Sequence, residues 1–260
     1  MPTPTVAVVT GAAGLIGRAV AEELSSRGSI VVALDKTPVR LRAVDMITTD
    51  IVRMEEVAAA ATLVATRYGK VDQLVHAAAI TARSGGVDVR AQLVDVDLPT
   101  WQSVLDVNLT GALLCVKGFV RLLRLSPLPK VVMVGSIQGS VPTVGTGMYG
   151  VSKAALAALT RQLGAELAAD GITVNMLAPG PITDACNEST PGVTGPTPME
   201  RFGRPGEVAQ AVVSMLSDSF NYMTGAVIPL DGGEHLRPRG NPVRQGRSVV
   251  SSSEGSSSSR

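Results

Sequence analysis

In the stretch "MYGVSK", residues 148–153, Tyr149 precedes Lys153 by four positions in a segment that otherwise reads as helix. On a helix that spacing brings both side chains to one face, about one turn apart. A phenol beside an ammonium can move a proton. Reducing a carbonyl with a hydride needs a proton donor at the oxygen, and oxidising an alcohol needs a base that takes the proton away. A free tyrosine, with a pKa of about 10, is a poor base near neutrality. A neighbouring ammonium favours the phenolate and lowers that value. Two residues alone could equally be a phenol at a core edge and a solvated surface charge, so the surrounding elements decide.

Short β-branched runs alternate with Ala- and Leu-rich helical stretches along the chain. Strands are expected at "TVAVVT" (5–10), "IVVAL" (30–34), "MITT" (46–49), "VDQLVHAAA" (71–79), "KVVMVGS" (130–136), "ITVNML" (172–177) and "AVIPL" (226–230). Helices are expected over Leu15–Arg27 (closed by Gly28), through 52–69, from Pro99 to Arg124, from the Tyr149 region to Ala169, and near Glu207–Leu216. Strands buried on both faces and alternating with helices point to an α/β, doubly wound parallel sheet of the Rossmann-like kind. No internal linker or repeat interrupts residues 1–236, which read as a single domain.

Between the first strand and helix lies "TGAAGLIG", with Gly11, Gly14 and Gly17 spaced G-x-x-G-x-x-G. Glycines there let the backbone approach a ligand, and the following helix offers unpaired N–H groups and a positive dipole end to a pyrophosphate. Asp35 ends the second strand 18 positions after Gly17, where a carboxylate would accept hydrogen bonds from an adenosine ribose. Together the turn and the acid argue for dinucleotide binding.

"TGAAGLIG", "NLTG" (108–111), Ser136 ending the fifth strand, "YGVSK" thirteen residues later, "PG" (179–180) and "DGG" (231–233) occur in one order. That series resembles the short-chain dehydrogenase/reductase family over roughly residues 5–234, and "RFGRPGEVA" (201–209) and "YMTGAVIPLDGG" (222–233) resemble its C-terminal end. The resemblance implies Tyr149 as the acid/base, with Lys153 lowering its pKa and holding the nicotinamide ribose. It implies that Ser136 hydrogen-bonds the substrate oxygen and that Asn108 helps hold a water of a proton relay. Gln138 would join Ser136 and Tyr149 at the substrate. The cofactor would rest on Gly11, Gly14, Leu15, Ile16, Gly17, Asp35 and Ile182, with Asp50 and Ile51 at the adenine and Ala77 and Ala78 along the backbone. NAD is expected over NADP, because a 2′-phosphate would meet the Asp35 carboxylate, although Lys36 stands next to it.

Some positions depart from the family pattern. Its "NNAG" appears here as "HAAA" (76–79), with His76 in the first asparagine's place. A lone histidine on a buried strand reads as a core group, and with His235 the only other, a histidine-based metal site lacks ligands. After "PGPI" the threonine expected on the cofactor amide stands one place early, at Thr183, with Asp184 in its position. Asp35 and Asp50 are only 15 positions apart, too close for a strand and a full intervening helix. A shortened crossover resembles the branch containing 2,3-dihydro-2,3-dihydroxybenzoate dehydrogenase, which hints at a cyclic alcohol or dihydrodiol. The substrate pocket is expected from Ile80, Ser136, Gln138, Met148, Pro181 and 185–200, the last acting as a lid.

Composition limits other classes. The formal net charge is +1, but five arginines and one glutamate after Leu236 leave 18 basic and 21 acidic residues before it. The body therefore makes no electrostatic case for nucleic acid or an anionic membrane. The Ser- and Arg-rich segment 237–260 has little to bury and is expected to be disordered. Cys115 and Cys186, 71 positions apart, read as thiols of an intracellular protein. No apolar run reads as a signal peptide or as long enough to span a bilayer, so the expectation is a soluble, cytoplasmic protein. By resemblance the long helices at 99–124 and 149–169 would pair across two-fold axes, giving a homotetramer or homodimer. The rival reading is a catalytically idle, nucleotide-sensing regulator on the same fold, which would be expected to lack Ser136, Tyr149 or Lys153.

Overall fold

The computed structural model describes residues 4–42, 44–81, 90–184 and 197–236. Its strands are β1 (Val6–Thr10), β2 (Ile30–Asp35), β3 (Val44–Thr48), β4 (Gln73–His76), β5 (Lys130–Val134), β6 (Thr173–Pro179) and β7 (Val227–Leu230). The helices are α1 (Leu15–Ser26), α2 (Met54–Tyr68), α3 (Leu98–Leu105), α4 (Gly111–Leu123), α5 (Gly147–Leu167) and α6 (Pro205–Met215). All seven strands pair in parallel, in the order β3-β2-β1-β4-β5-β6-β7.

Alternation along each strand sorts the core into two layers. Val8, Leu74, Val131 and Met133 face α2, α4 and α5, whereas Ala7, Val9, Val75 and Val132 face α1 and α6. Both faces are covered, as a parallel sheet requires. The chain winds outward from β1 in one direction and from β4 in the other. The crevice between their carboxyl ends is where such folds place a ligand.

The link from β2 to β3 holds no helix among the described residues, in keeping with the short Asp35–Asp50 spacing. The helix expected over 99–124 is two helices joined by a π-helical turn at Asp106–Thr110, which carries Asn108. Contrary to the sequence reading, the 26 residues of Leu98–Leu123 are long and apolar enough to cross a bilayer by length and composition. Cys115, Val116, Phe119, Leu122 and Leu123 spend that apolarity in the core. The 237–260 segment, Cys186 and most of the lid expected at 185–200 lie outside the described residues.

Candidate active site

β1 ends at Thr10, and Gly11 turns the chain with φ of 69°, its N–H donating to Leu34 O at 2.9 Å. A Cβ on Gly11 would stand 2.5 Å from Ala78 N, and one on Gly17 would stand 2.1 Å from Gly11 O. The turn must therefore be glycine at both places. Gly14 caps α1 without any side-chain partner for the helix's first N–H groups, so these remain available to an anion.

Asp35 lies beside this turn and holds two backbone donors of its own chain. Its Oδ2 accepts the Ala13 N–H at 3.0 Å and its Oδ1 the Thr37 N–H at 2.9 Å. A carboxylate has about four acceptor sites, so capacity remains for ligand hydroxyls.

Two cavities meet at Gly14, Ala77 and Ala79. The smaller, about 410 Å³, is lined by Gly11, Asp35, Lys36, Asp50, Ile51, Ala78 and Ile80. The larger, about 510 Å³, is lined by Leu15, Ile16, Gly17, Ser136, Gln138, Tyr149, Lys153 and Ile182. Together they form a groove across the carboxyl end of the sheet with an apolar pocket at one end, which fits a dinucleotide with room for a small second molecule.

At the pocket end, Ser136 follows β5 and accepts the Gln138 N–H at 3.2 Å, leaving its own proton for a neighbouring oxygen. Tyr149, in the first turn of α5, lines the same cavity, and the Ser136 hydroxyl acts to hold its pKa down. Lys153 is buried, its Nζ 5.6 Å from the Tyr149 ring centre and 3.0 Å from Val134 O. The packing of the chain by itself does not lower the phenol's pKa. Burial outweighs the Ser136 hydroxyl and pushes Tyr149 up to about 12. Burial likewise brings Lys153 down to about 8, so it stays largely charged at neutrality.

Asn108 lines neither cavity. Buried behind them, its Oδ1 accepts the Ile80 N–H at 2.7 Å, while its Nδ2 donates to Ile80 O at 3.1 Å and to Ser152 Oγ at 3.0 Å. It ties the end of the β4 segment to the residue before Lys153. Met148 and Ile80 were expected in the substrate pocket. Met148 instead packs with Val104 in a small satellite core, and Ile80 faces the smaller cavity. The main chain of Thr183 is spent on Gly203, its N–H donating to the carbonyl at 3.0 Å. Thr146 and Phe202, not singled out from sequence, also line the larger cavity. Phe202 sits within the recognisable "RFGRPGEVA" run, which was the signal available for it.

Residues 11–235 match the family described as Enoyl-(Acyl carrier protein) reductase. The chain is 34% identical over 243 residues to cis-4-hydroxycyclohexanecarboxylate dehydrogenase of Sinomonas cyclohexanicum, covering 88% of this chain and 95% of that protein. It is 30% identical over 244 residues to the 3-oxoacyl-(acyl-carrier-protein) reductase FabG of Haemophilus influenzae, with 89% and 98% covered. Among solved structures, the ligand-free aldohexose dehydrogenase of Thermoplasma acidophilum superposes with a TM-score of 0.83 at 27% identity, over 92% of this chain and 97% of that one.

Proposed function

The chain belongs to the short-chain dehydrogenase/reductase family of oxidoreductases, and we propose that it moves a hydride between a nicotinamide cofactor and a small secondary alcohol or ketone. One observation carries this reading: Ser136, Tyr149 and Lys153 converge on a pocket that opens directly onto the glycine turn. A bound nicotinamide dinucleotide would supply the hydride. The residues supply the rest. Tyr149 passes its proton to the carbonyl oxygen in reduction and takes it back in oxidation. Ser136 holds that oxygen as charge gathers on it. The Lys153 ammonium, together with the positive ring of an oxidised nicotinamide, would favour the phenolate against burial, and the same ammonium would hold the ribose.

The cofactor is NAD in this reading, because Asp35 forms part of the wall of the smaller cavity and repels a 2′-phosphate. The substrate is a cyclic secondary alcohol or dihydrodiol. The end of the larger cavity away from the glycine turn, with apolar Pro181, Ile182 and Phe202 beside polar Ser136, Gln138 and Thr146, suits one hydroxylated ring. The relative from Sinomonas, by its name, oxidises such a ring. Leu113 and Val151 leave about two fifths of their surface exposed on α4 and α5, as a helix pairing across a two-fold axis would. We assign a homotetramer or homodimer in the cytoplasm, and light scattering showing a monomer at micromolar concentration would reject the assembly.

The test is a screen of NAD and NADP against cyclic alcohols, dihydrodiols and ketones. NAD-linked turnover of a ring alcohol that vanishes in Tyr149→Phe supports the reading. Binding of a dinucleotide with no turnover across the panel would favour a nucleotide-sensing role instead.

A further inference from the structure

His76 is fully buried at the carboxyl end of β4, and its Nδ1 lies 3.0 Å from Thr10 Oγ1. The same hydroxyl receives the Ala77 N–H at 3.2 Å and the Ala78 N–H at 3.3 Å. A hydroxyl has two lone pairs and one proton. The amides fill the lone pairs, so the proton goes to His76 Nδ1, and the ring is the neutral tautomer with hydrogen on Nε2. Burial, and after it the Lys153 charge, pushes the ring's pKa down to about 3, so it stays neutral through the working range. Lys153, reaching in from α5, is the charged group that bears on it. Nε2 itself has no hydrogen-bond partner among the described residues. An apolar side chain would avoid burying that N–H, so stability alone does not account for a histidine at this place.

What the ring does hold is the floor of the groove. Ala77 lines both cavities, Ala78 lines the smaller, and Gly11 crosses Ala78 with no room for a Cβ. A Thr10 hydroxyl free to rotate could offer its proton elsewhere and release one amide. We propose that His76 is a positioning residue for cofactor binding: by accepting the Thr10 proton it locks that hydroxyl onto the Ala77 and Ala78 amides and fixes the strip joining the two cavities. It touches no reacting atom and acts through Thr10. The assignment of a nicotinamide cofactor to this groove rests on the function proposed above.

The tautomer is read first, by ¹⁵N NMR of the histidines in the full chain. His76 should carry hydrogen on Nε2 and show no titration between about pH 5.5 and 8, where a free imidazole changes charge. Hydrogen on Nδ1, or titration near 6.5, overturns the proposal. Cofactor affinity is read second, by fluorescence titration with NADH and NADPH. His76→Leu, which removes the acceptor, should raise Kd about tenfold, the worth of one good hydrogen bond, with a smaller loss of kcat at saturating cofactor. His76→Asn, which restores an acceptor, should recover most of that affinity. An unchanged Kd in His76→Leu, or equal losses in both variants, refutes the positioning role. Should His76→Leu fail to fold, Thr10→Val removes the other partner, and an unchanged Kd there refutes it too. A wild type that binds neither dinucleotide would reject the proposed function, leaving the tautomer measurement to decide the Thr10–His76 assignment.

Discussion

Lys153 holds its ammonium 5.6 Å from the centre of the Tyr149 ring while donating to the Val134 carbonyl at 3.0 Å. The carbonyl anchors the charge near the phenol without a direct bond between the two side chains. Tyr149→Phe removes only the hydroxyl, so turnover should fall by at least about 100-fold, the low end for loss of an acid/base group. NADH binding should stay close to wild type. Lys153→Ala should damage both, because in the proposed function one ammonium serves the phenol and the ribose. NADH titrations set against turnover for the two variants check this, and a Tyr149→Phe enzyme keeping most of its rate would sink the mechanism.

The Asp35 carboxylate predicts the cofactor ratio. Wild-type kcat/KM should favour NAD over NADP by at least about tenfold, a modest yield for a like-charge contact at a partly shielded site. Asp35→Ser should narrow the ratio by relieving NADP. Because Asp35 also holds the Ala13 and Thr37 N–H groups, that variant should lose some affinity for both cofactors. A wild-type ratio favouring NADP would show that Lys36 governs this end of the groove.

Lys153 also predicts a dependence of stability on pH. Burial brings its pKa from 10.5 down to about 8 in the folded chain. Between those values the unfolded chain keeps the proton and the folded chain does not. Stability from this group therefore rises as pH climbs from about 8 to 10.5. Urea unfolding across that window should show the stability of wild type growing relative to Lys153→Met, since the opposing losses from buried Tyr149 and Cys115, both pushed up to about 12, are common to the two proteins. Parallel curves for the two proteins would contradict the buried, depressed lysine.

Asn108 predicts a fold effect ahead of a rate effect. Asn108→Ala strands the Ile80 N–H and C=O in the interior, which should destabilise the chain by about 2–4 kcal/mol. The urea midpoint should drop at an unchanged slope. A variant of wild-type stability would mean that the Ile80 and Ser152 contacts matter little.

Much of the architecture was legible because the patterns were local. The β-branched runs, the Gly11–Gly14–Gly17 turn and the short Asp35–Asp50 interval each report their own backbone, and each appears in the fold where expected. What escaped depends on contacts between distant elements. Met148 points into a satellite core because Val104 and Ile80 arrive beside it, which spacing along α5 cannot reveal. Tyr149 and Lys153 were recognisable as a pair, but the balance between burial and charge at the phenol is set by everything packed around it. His76 read as an ordinary core residue, and only the placement of Thr10 across the sheet gives its ring a defined proton.

The π-helical turn at Asp106–Thr110 gives the long crossover two rotational phases. Each residue of an α-helix advances the side-chain direction by about 100°, so one surplus residue turns everything after it by roughly that angle. Ahead of the turn Val104 addresses Met148 and Ile80; beyond it Cys115, Phe119 and Leu122 address the sheet. A smooth helix could not aim both stripes and also send Asn108 to Ile80. Removing a single residue from 106–110 would leave a more regular helix in a less workable protein. Length here behaves like the timing of two gears: what the crossover must keep is its count.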